Sequence, residues 1–402
     1  GRLIERIPAT ARDDLGLPEV YLCFYDAVAA VDHLRGLAHV IVCPVPGRTE
    51  MGMAAAHRLS AALRGCVVGE APRDWGPPQA DTGPAAQGPV VRSGGDQPLT
   101  PPATGGELSS NFSRAAYRDA VRAAVEYIFA GDIFQANISQ RFTAPVPFSA
   151  WELYRRLRAS NPSPFAAYLD RGDSQVVSTS PERFLKVEPI WGLPGPVARL
   201  GPLAWHVETR PIKGTRPRGS TPAEDQQMAQ ELMRSAKDRA ELNMIVDLER
   251  NDLGKVCRFG TVRVPEVRRL EAYPTVFHTV ATVEGILRRG VTTGALLKAT
   301  FPGGSITGAP KVRAMEIIEE LEGVRRGVYC GSIGYLGFDG VLDLNIAIRT
   351  MVVKAGRVYF SAGGGIVADS DPDEEYEETL AKAYALIQVL GLQVSSGQEV
   401  AV

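Results

Sequence analysis

Hydrophobic and polar positions change period several times along the chain, and the changes mark out its elements. Apolar runs at Val20 to Phe24 and Val40 to Val45 predict short strands, and the alanine-rich stretch over residues 51 to 64 reads as a helix. Further on, Tyr117, Val121, Val125 and Ile128 recur at helical spacing behind a capping residue, Ser113, and the pattern stops at Gly131. Ile133 to Ala144 then predicts a strand. Residues 76 to 107 are rich in proline, glycine and polar side chains. They cannot bury enough apolar surface to offset the entropy of ordering, so they read as a flexible linker. A second break, Pro189 to Trp205, lies between Phe184-Leu-Lys-Val and Val207-Glu-Thr and predicts an enlarged hairpin loop. Strands grouped in antiparallel hairpins, with three runs in residues 328 to 366, beside separate helices define an α+β fold class. The expected organisation is an N-terminal portion over 1–75, the linker over 76–107 and one large domain over 108–392. Because the chain starts at Gly1 rather than methionine, the first portion is expected to be shortened.

Composition narrows the partners. The 402 residues are 45% hydrophobic and 22% charged, enough for a sizeable core. A net charge of −2 provides no general attraction to nucleic acid or to an anionic membrane, and no apolar run is long enough to span a bilayer. Neither partner is expected. Cys23, Cys43, Cys66, Cys257 and Cys330 are odd in number and scattered without a Cys-x-x-Cys pair. They fit a reducing, cytoplasmic setting and show no zinc site.

Candidate chemistry starts at Lys213, in Arg-Pro-Ile-Lys-Gly-Thr-Arg, a turn-like segment flanked by Arg210 and Arg216. An amine attacks only when neutral, and an ordinary lysine titrates at about 10.4, so a nucleophilic one needs desolvation or neighbouring positive charge. Taken alone, the segment equally describes a surface lysine in a turn. In residues 238 to 250, Asp238 and Glu241 stand one turn apart on the stripe of Ile245 and Leu248, which predicts buried carboxylates: protonated, metal-bound or paired with a core arginine. Asp371 and Pro372 signal a helix start. On that helix Glu375, Glu378 and Lys382 share one face, while Tyr376, Leu380, Tyr384 and Ile387 share a nearly opposite one. Those acids also suit the positive end of the helix for purely local reasons. Two acid pairs at i, i+3 supply the hard oxygen ligands that Mg2+ prefers. Gly303 to Lys311 lacks the lysine of a phosphate loop, and Gly363 to Ala368 lacks an immediate helix, so neither reads as a nucleotide site. His278, in Val276-Phe-His-Thr-Val280, reads from its neighbours as a core histidine.

Several of these segments, in order, resemble the chorismate-utilising enzymes over roughly residues 109 to 390: Phe134-Gln-Ala-Asn-Ile-Ser-Gln-Arg141, Asn161-Pro-Ser-Pro-Phe165, Ser180-Pro-Glu-Arg-Phe184, the lysine segment, 238 to 252, 301 to 316, 329 to 335 and 361 to 378. The resemblance implies two large facing antiparallel sheets, helices outside, and an active site between them in a catalytic domain over 108–392. It implies that Glu241 and Glu378 hold Mg2+ directly and Asp238 and Glu375 through water. Arg349, Tyr329, Lys382, Ser305, Gln135 and the backbone at Gly364 and Gly365 are then the grip on chorismate, Glu182 the general acid and base, and His278 an active-site histidine. Within the family, lysine at 213 goes with the aminodeoxychorismate synthase component I branch, in which the amine adds to carbon 2 and ammonia then displaces it. Anthranilate and isochorismate synthases are expected to carry alanine there, and glutamine at 135 cannot serve as the water-activating lysine of isochorismate synthases. No Gly-x-Cys-x-Gly nucleophile turn is present, so ammonia is expected from a class I glutamine amidotransferase. The alternatives are anthranilate synthase component I and a binding homologue without catalysis.

Overall fold

A computed structural model describes residues 4–5, 7–32, 35–42, 49–65, 107–191 and 202–392. The chain forms two compact units, one of Val20–Pro98 and one of Gly1–Glu19 with Leu99–Val402. The expected linker lies outside the described residues except for residue 107. In the smaller unit, β1 (Ala27–Asp32) and β2 (Leu37–Val42) form an antiparallel hairpin, followed by α1 (Thr49–Gly65). The strand expected at Val20 to Phe24 is not formed, and Val20, Leu22 and Phe24 are exposed. No helix among the described residues is long and apolar enough to cross a membrane.

The larger unit opens with β3 (Ser109–Ser110), α2 (Arg114–Phe129), β4 (Gln135–Pro145), α3 (Ala150–Ser160), β5 (Phe165–Asp170) and β6 (Ser174–Ser180). The Ser113 hydroxyl caps α2 by accepting from Ala116 N at 3.2 Å, and Gly131 follows the helix with a φ of 83° that favours glycine. Next come β7 (Arg183–Ile190), β8 (Ala204–Arg210), β9 (Ile212–Pro217), α4 (Pro222–Arg234), α5 (Ala236–Gly254), β10 (Arg263–Ala272), β11 (Val276–Ile286) and α6 (Thr293–Thr300). The last elements are β12 (Gly308–Ala309), α7 (Lys311–Glu322), β13 (Gly334–Leu336), β14 (Leu342–Asn345), β15 (Thr350–Lys354), β16 (Arg357–Ile366) and α8 (Pro372–Val389). Strands β7 and β8 pair antiparallel with Ile190 opposite Ala204, so the expected enlarged loop joins a hairpin; residues 192 to 201 within it are outside the described set.

Two seven-stranded antiparallel sheets result. The first runs β12-β4-β16-β15-β6-β5, with β3 on β4; the second runs β10-β11-β8-β7-β14-β13, with β9 on β11. Each has its own apolar core. Ala136, Ile138 and Phe142 of β4 and Phe360, Ala362 and Ile366 of β16 pack with α2, α3, α7 and α8, whereas Leu242 and Val246 of α5 pack with Ala281 and Val283 of β11. The period of two leaves Gln135, Asn137, Ser139, His278 and Gly365 on the opposite faces. The chain crosses between the sheets at Pro181–Glu182, around Ser305, around Tyr329, and at Ile346–Arg349, and the crossings are tied together. Ile346 N donates to Glu182 O at 3.0 Å, Cys330 N to Ala347 O at 3.0 Å, and Thr179 N to Arg349 O at 3.1 Å.

Candidate active site

Lys213 sits on a bulged strand rather than in a turn. Along β9 and β11, Thr215 pairs with His278 and Ile212 with Val280, so Lys213 and Gly214 together oppose Thr279. Such a two-against-one bulge re-aims a side chain. Gly214 has a φ of 84°, and a Cβ there would lie 2.8 Å from Leu232 Cδ1 and 3.0 Å from Asp238 Cγ. Gly214→Ala is therefore expected to destabilise the fold by about 1–3 kcal/mol and to displace Lys213. An unchanged denaturant midpoint and unchanged turnover would contradict that.

The Lys213 amine is 3.8 Å from Glu241 Oε2. A Cβ on Gly365 would come within 3.4 Å of the amine and 1.9 Å of Gln135 Nε2, so glycine is what lets these two side chains of different sheets meet over β16. Glu182, at the first crossing, is 3% exposed and accepts from Ile212 N at 3.3 Å. Burial pushes its carboxyl up to about 7, against the opposing influence of the Ser305 hydroxyl, the Ile212 amide and Lys213. Ser305 lies near Glu182 without completing a hydrogen bond of its own. His278 is buried, its Nδ1 bonded to Thr215 Oγ1 at 2.9 Å and its Nε2 unpartnered. Burial and the nearby Arg349 hold its pKa down to about 3, so it stays neutral.

Arg349 is a half-buried cation at the last crossing. Its guanidinium donates to Asn161 Oδ1 at 3.3 Å, no carboxylate pairs with it among the described residues, and burial lowers its pKa. Its φ of 48° is rare for a residue with a side chain, and Cys330, beside Tyr329, has 62°. Burial keeps the Tyr329 phenol protonated.

Of the four acids expected at the metal, three are engaged by cations. Arg216 pairs with Asp238 at 3.2 Å, Lys213 with Glu241, and Lys382 with Glu378 at 2.6 Å. Burial would lower the pKa of Lys237, but Glu375, Glu241 and Glu378 together hold it above the usual value. Burial raises the Glu375 carboxyl, helped by Glu378 and opposed by the 2.7 Å bond from Ser370, and Glu375 Oε2 is buried without a partner. Burial would also raise Glu378, but Lys382 prevails and lowers it. A Cβ on Gly364 would stand 2.6 Å from Glu375 Oε2. Among the described residues no three His, Cys, Asp or Glu side chains are gathered as they stand into a ready metal cage, though the oxygen donors and the orphaned Glu375 oxygen suit a hard dication.

Periodicity misplaced two features. The buried acids of α5 are Glu249 and Asp252, whereas the side chains of Asp238 and Glu241 are only partly buried. Tyr384, expected on the apolar stripe of α8, is exposed, because eight residues at 100° each put it about 80° from Tyr376.

A lysine, a carboxyl titrating near neutrality, a neutral histidine and a half-buried arginine with no carboxylate partner among the described residues lie along the crossings between the two sheets, an arrangement suited to an anionic ligand. The chain belongs to the chorismate binding enzyme family, whose profile matches residues 1–388. It is 43% identical over 390 residues to anthranilate synthase component 1 of Thermus thermophilus, covering 97% of this chain and 75% of that protein. It is 40% identical over 390 residues to aminodeoxychorismate synthase component 1 of Salmonella typhimurium, covering 97% of this chain and 74% of that protein. The crystal structure of anthranilate synthase component I from Streptococcus pneumoniae superposes with a TM-score of 0.76 at 33% identity, covering 95% of this chain and 77% of that one.

Proposed function

We propose that this chain converts chorismate and ammonia to 4-amino-4-deoxychorismate through a covalent bond to Lys213, with a class I glutamine amidotransferase as the ammonia source. The observation that carries the reading is the position of the Lys213 amine, on a bulge beside Gln135 and Gly365 and close enough to Glu182 to influence its carboxyl. Overall similarity does not rank the two candidate products, since relatives named for each are 43% and 40% identical. The lysine does. The names of both relatives, component 1, support a partner subunit.

In the first step the neutral amine forms a bond to carbon 2, the ring double bonds shift, and the carbon 4 oxygen leaves as water with the proton of Glu182. Glu182 then takes up the proton released by the lysine nitrogen. In the second step ammonia bonds to carbon 4, the double bonds shift back, and the lysine departs from carbon 2 after recovering a proton. Arg349 is suited to pair with a substrate carboxylate, Tyr329 and Ser305 to border the ring, and His278 to offer Nε2. Glu241 and Glu378 would hold Mg2+, with Asp238 and Glu375 acting through water, while Lys382 and the backbone at Gly364 and Gly365 would grip the substrate. The bound ion supplies a dication for the ring carboxylate of chorismate.

Glu241→Gln is expected to raise the Mg2+ concentration needed for half-maximal turnover and to weaken chorismate binding, because an amide is a poorer ligand for a hard cation. Equal activity with Mg2+ and with excess EDTA would remove the ion from the account. The second reading, anthranilate formation, is favoured by the similarity to anthranilate synthases. Mass spectrometry of the product from chorismate, Mg2+ and ammonium separates the two.

A further inference from the structure

His278 Nε2, Ser305 Oγ, Glu375 Oε2 and Gln135 Oε1 are buried without a hydrogen-bond partner among the described residues, and each belongs to a residue with a place in the site. Asn137 Nδ2 is orphaned in the same way, but Asn137 has no such place. The residue is 6% exposed. A buried donor left unmet destabilises the protein that carries it, so its persistence calls for an acceptor from elsewhere. Ala136 and Ile138 on either side turn to the apolar core, which supplies none.

Backbone bonds fix where this amide sits. Asn137 N donates to Thr307 O at 2.7 Å, and Asn137 O accepts from Arg326 Nη2, so β4 runs here beside the segment that carries Ser305. Asn137 stands opposite Gly365 in the register of β4 and β16. Residues directly opposite in an antiparallel pair project from the same face. That is the face on which a Cβ of Gly365 would come within 3.4 Å of the Lys213 amine and 1.9 Å of Gln135 Nε2. On the other side, Arg326 donates to Ile306 O at 2.9 Å and stands 5.7 Å over the Tyr329 ring. Asn137 is thus flanked by Lys213 at Gly365 and, through Arg326, by Tyr329. We propose that Asn137 is a further chorismate-binding residue: its Nδ2 donates to the oxygen on carbon 3, which carries the enolpyruvyl group, and holds the carbon 2 edge of the ring against the Lys213 amine. The inference rests on the reading of Lys213 as the group that attacks carbon 2. Carbon 3 is the neighbour of carbon 2 that remains, because the carboxylate on carbon 1 is the one assigned to the ion.

Asn137→Leu nearly keeps the volume and removes the donor. The free variant is expected to melt no lower than wild type, since an apolar side chain relieves an unmet buried donor. Chorismate affinity with Mg2+, measured by calorimetry on the Lys213→Ala background where no adduct forms, should fall by about 10-fold or more. The rise in Tm that chorismate induces should shrink with it. On the wild-type background the Lys213 adduct should form more slowly even at saturating chorismate, while the Mg2+ concentration for half-maximal turnover stays unchanged. A purely structural amide, satisfied by an internal water, gives the reverse: a free variant that melts lower and binds chorismate as before. That result overturns the proposal. A raised Mg2+ requirement would put the contact on the ring carboxylate and overturn the carbon 3 assignment. Should Asn137→Leu fail to fold, Asn137→Asp keeps the shape and turns the donor into a carboxylate, and undiminished chorismate affinity near neutral pH then counts against the contact. The two levels of the account separate cleanly. If the wild-type chain forms the Lys213 adduct while Asn137→Leu binds chorismate normally, only this proposal falls; if no adduct ever forms yet Asn137→Leu weakens chorismate binding, the covalent reading falls and the binding residue stands.

Discussion

Lys213→Ala is expected to reduce formation of 4-amino-4-deoxychorismate by roughly 100-fold or more, the scale on which loss of an essential catalytic group acts. The substitution removes the amine but not the bulge, because the hydrogen bond from Thr279 goes to the Lys213 carbonyl. Folding is therefore expected to persist. The space vacated beside Gln135 and Gly365 would admit water or ammonia at carbon 2, so residual chemistry should drift toward isochorismate-like or anthranilate-type products. Wild-type rates of 4-amino-4-deoxychorismate formation by Lys213→Ala, read by liquid chromatography and mass spectrometry, would refute the nucleophile assignment.

Glu182→Gln is expected to lower kcat by about 100- to 10,000-fold with little change in chorismate affinity, since the amide keeps the shape but cannot donate the proton. The pH dependence has a definite sign. Burial raises the Glu182 carboxyl to about 7, so the protonated donor is present at lower pH and is lost as pH rises through that value. Wild-type turnover should decline accordingly on the alkaline side. Turnover of Glu182→Gln equal to wild type at saturating chorismate would show that the leaving hydroxyl is protonated from elsewhere.

Local signals carried far where the sequence contains its own punctuation. Ser113 and Gly131 bracket α2, and Asp371, accepting from the amides of Asp373 and Glu374, starts α8 at the position its capping chemistry predicts. The Val20 to Phe24 run failed because an apolar run does not make a strand without a partner to pair with. The candidate site was legible as residue types and illegible as an arrangement. Lys213 reads as a turn residue because the Gly214 conformation is the same in a turn and in a bulge, and only the pairing with β11 tells them apart. Glu249 went unnoticed for a related reason. A helical wheel ranks positions against one apolar stripe, whereas α5 is buried from more than one side, by β9 and β11 and by the loop carrying Gly304. The crossings that bring Glu182, Ser305, Tyr329 and Arg349 together are long-range features, and no periodicity records them.

Intact-protein mass spectrometry with chorismate and Mg2+ but without ammonia tests the covalent role of Lys213 most directly. With the second step starved of its nucleophile, the wild-type chain is expected to accumulate an adduct of chorismate less one water, mapped by peptide analysis to the segment that contains Lys213 and absent from Lys213→Ala. An unmodified wild-type chain that still yields 4-amino-4-deoxychorismate once ammonium is added, with no adduct trapped at any time of quenching, would contradict it.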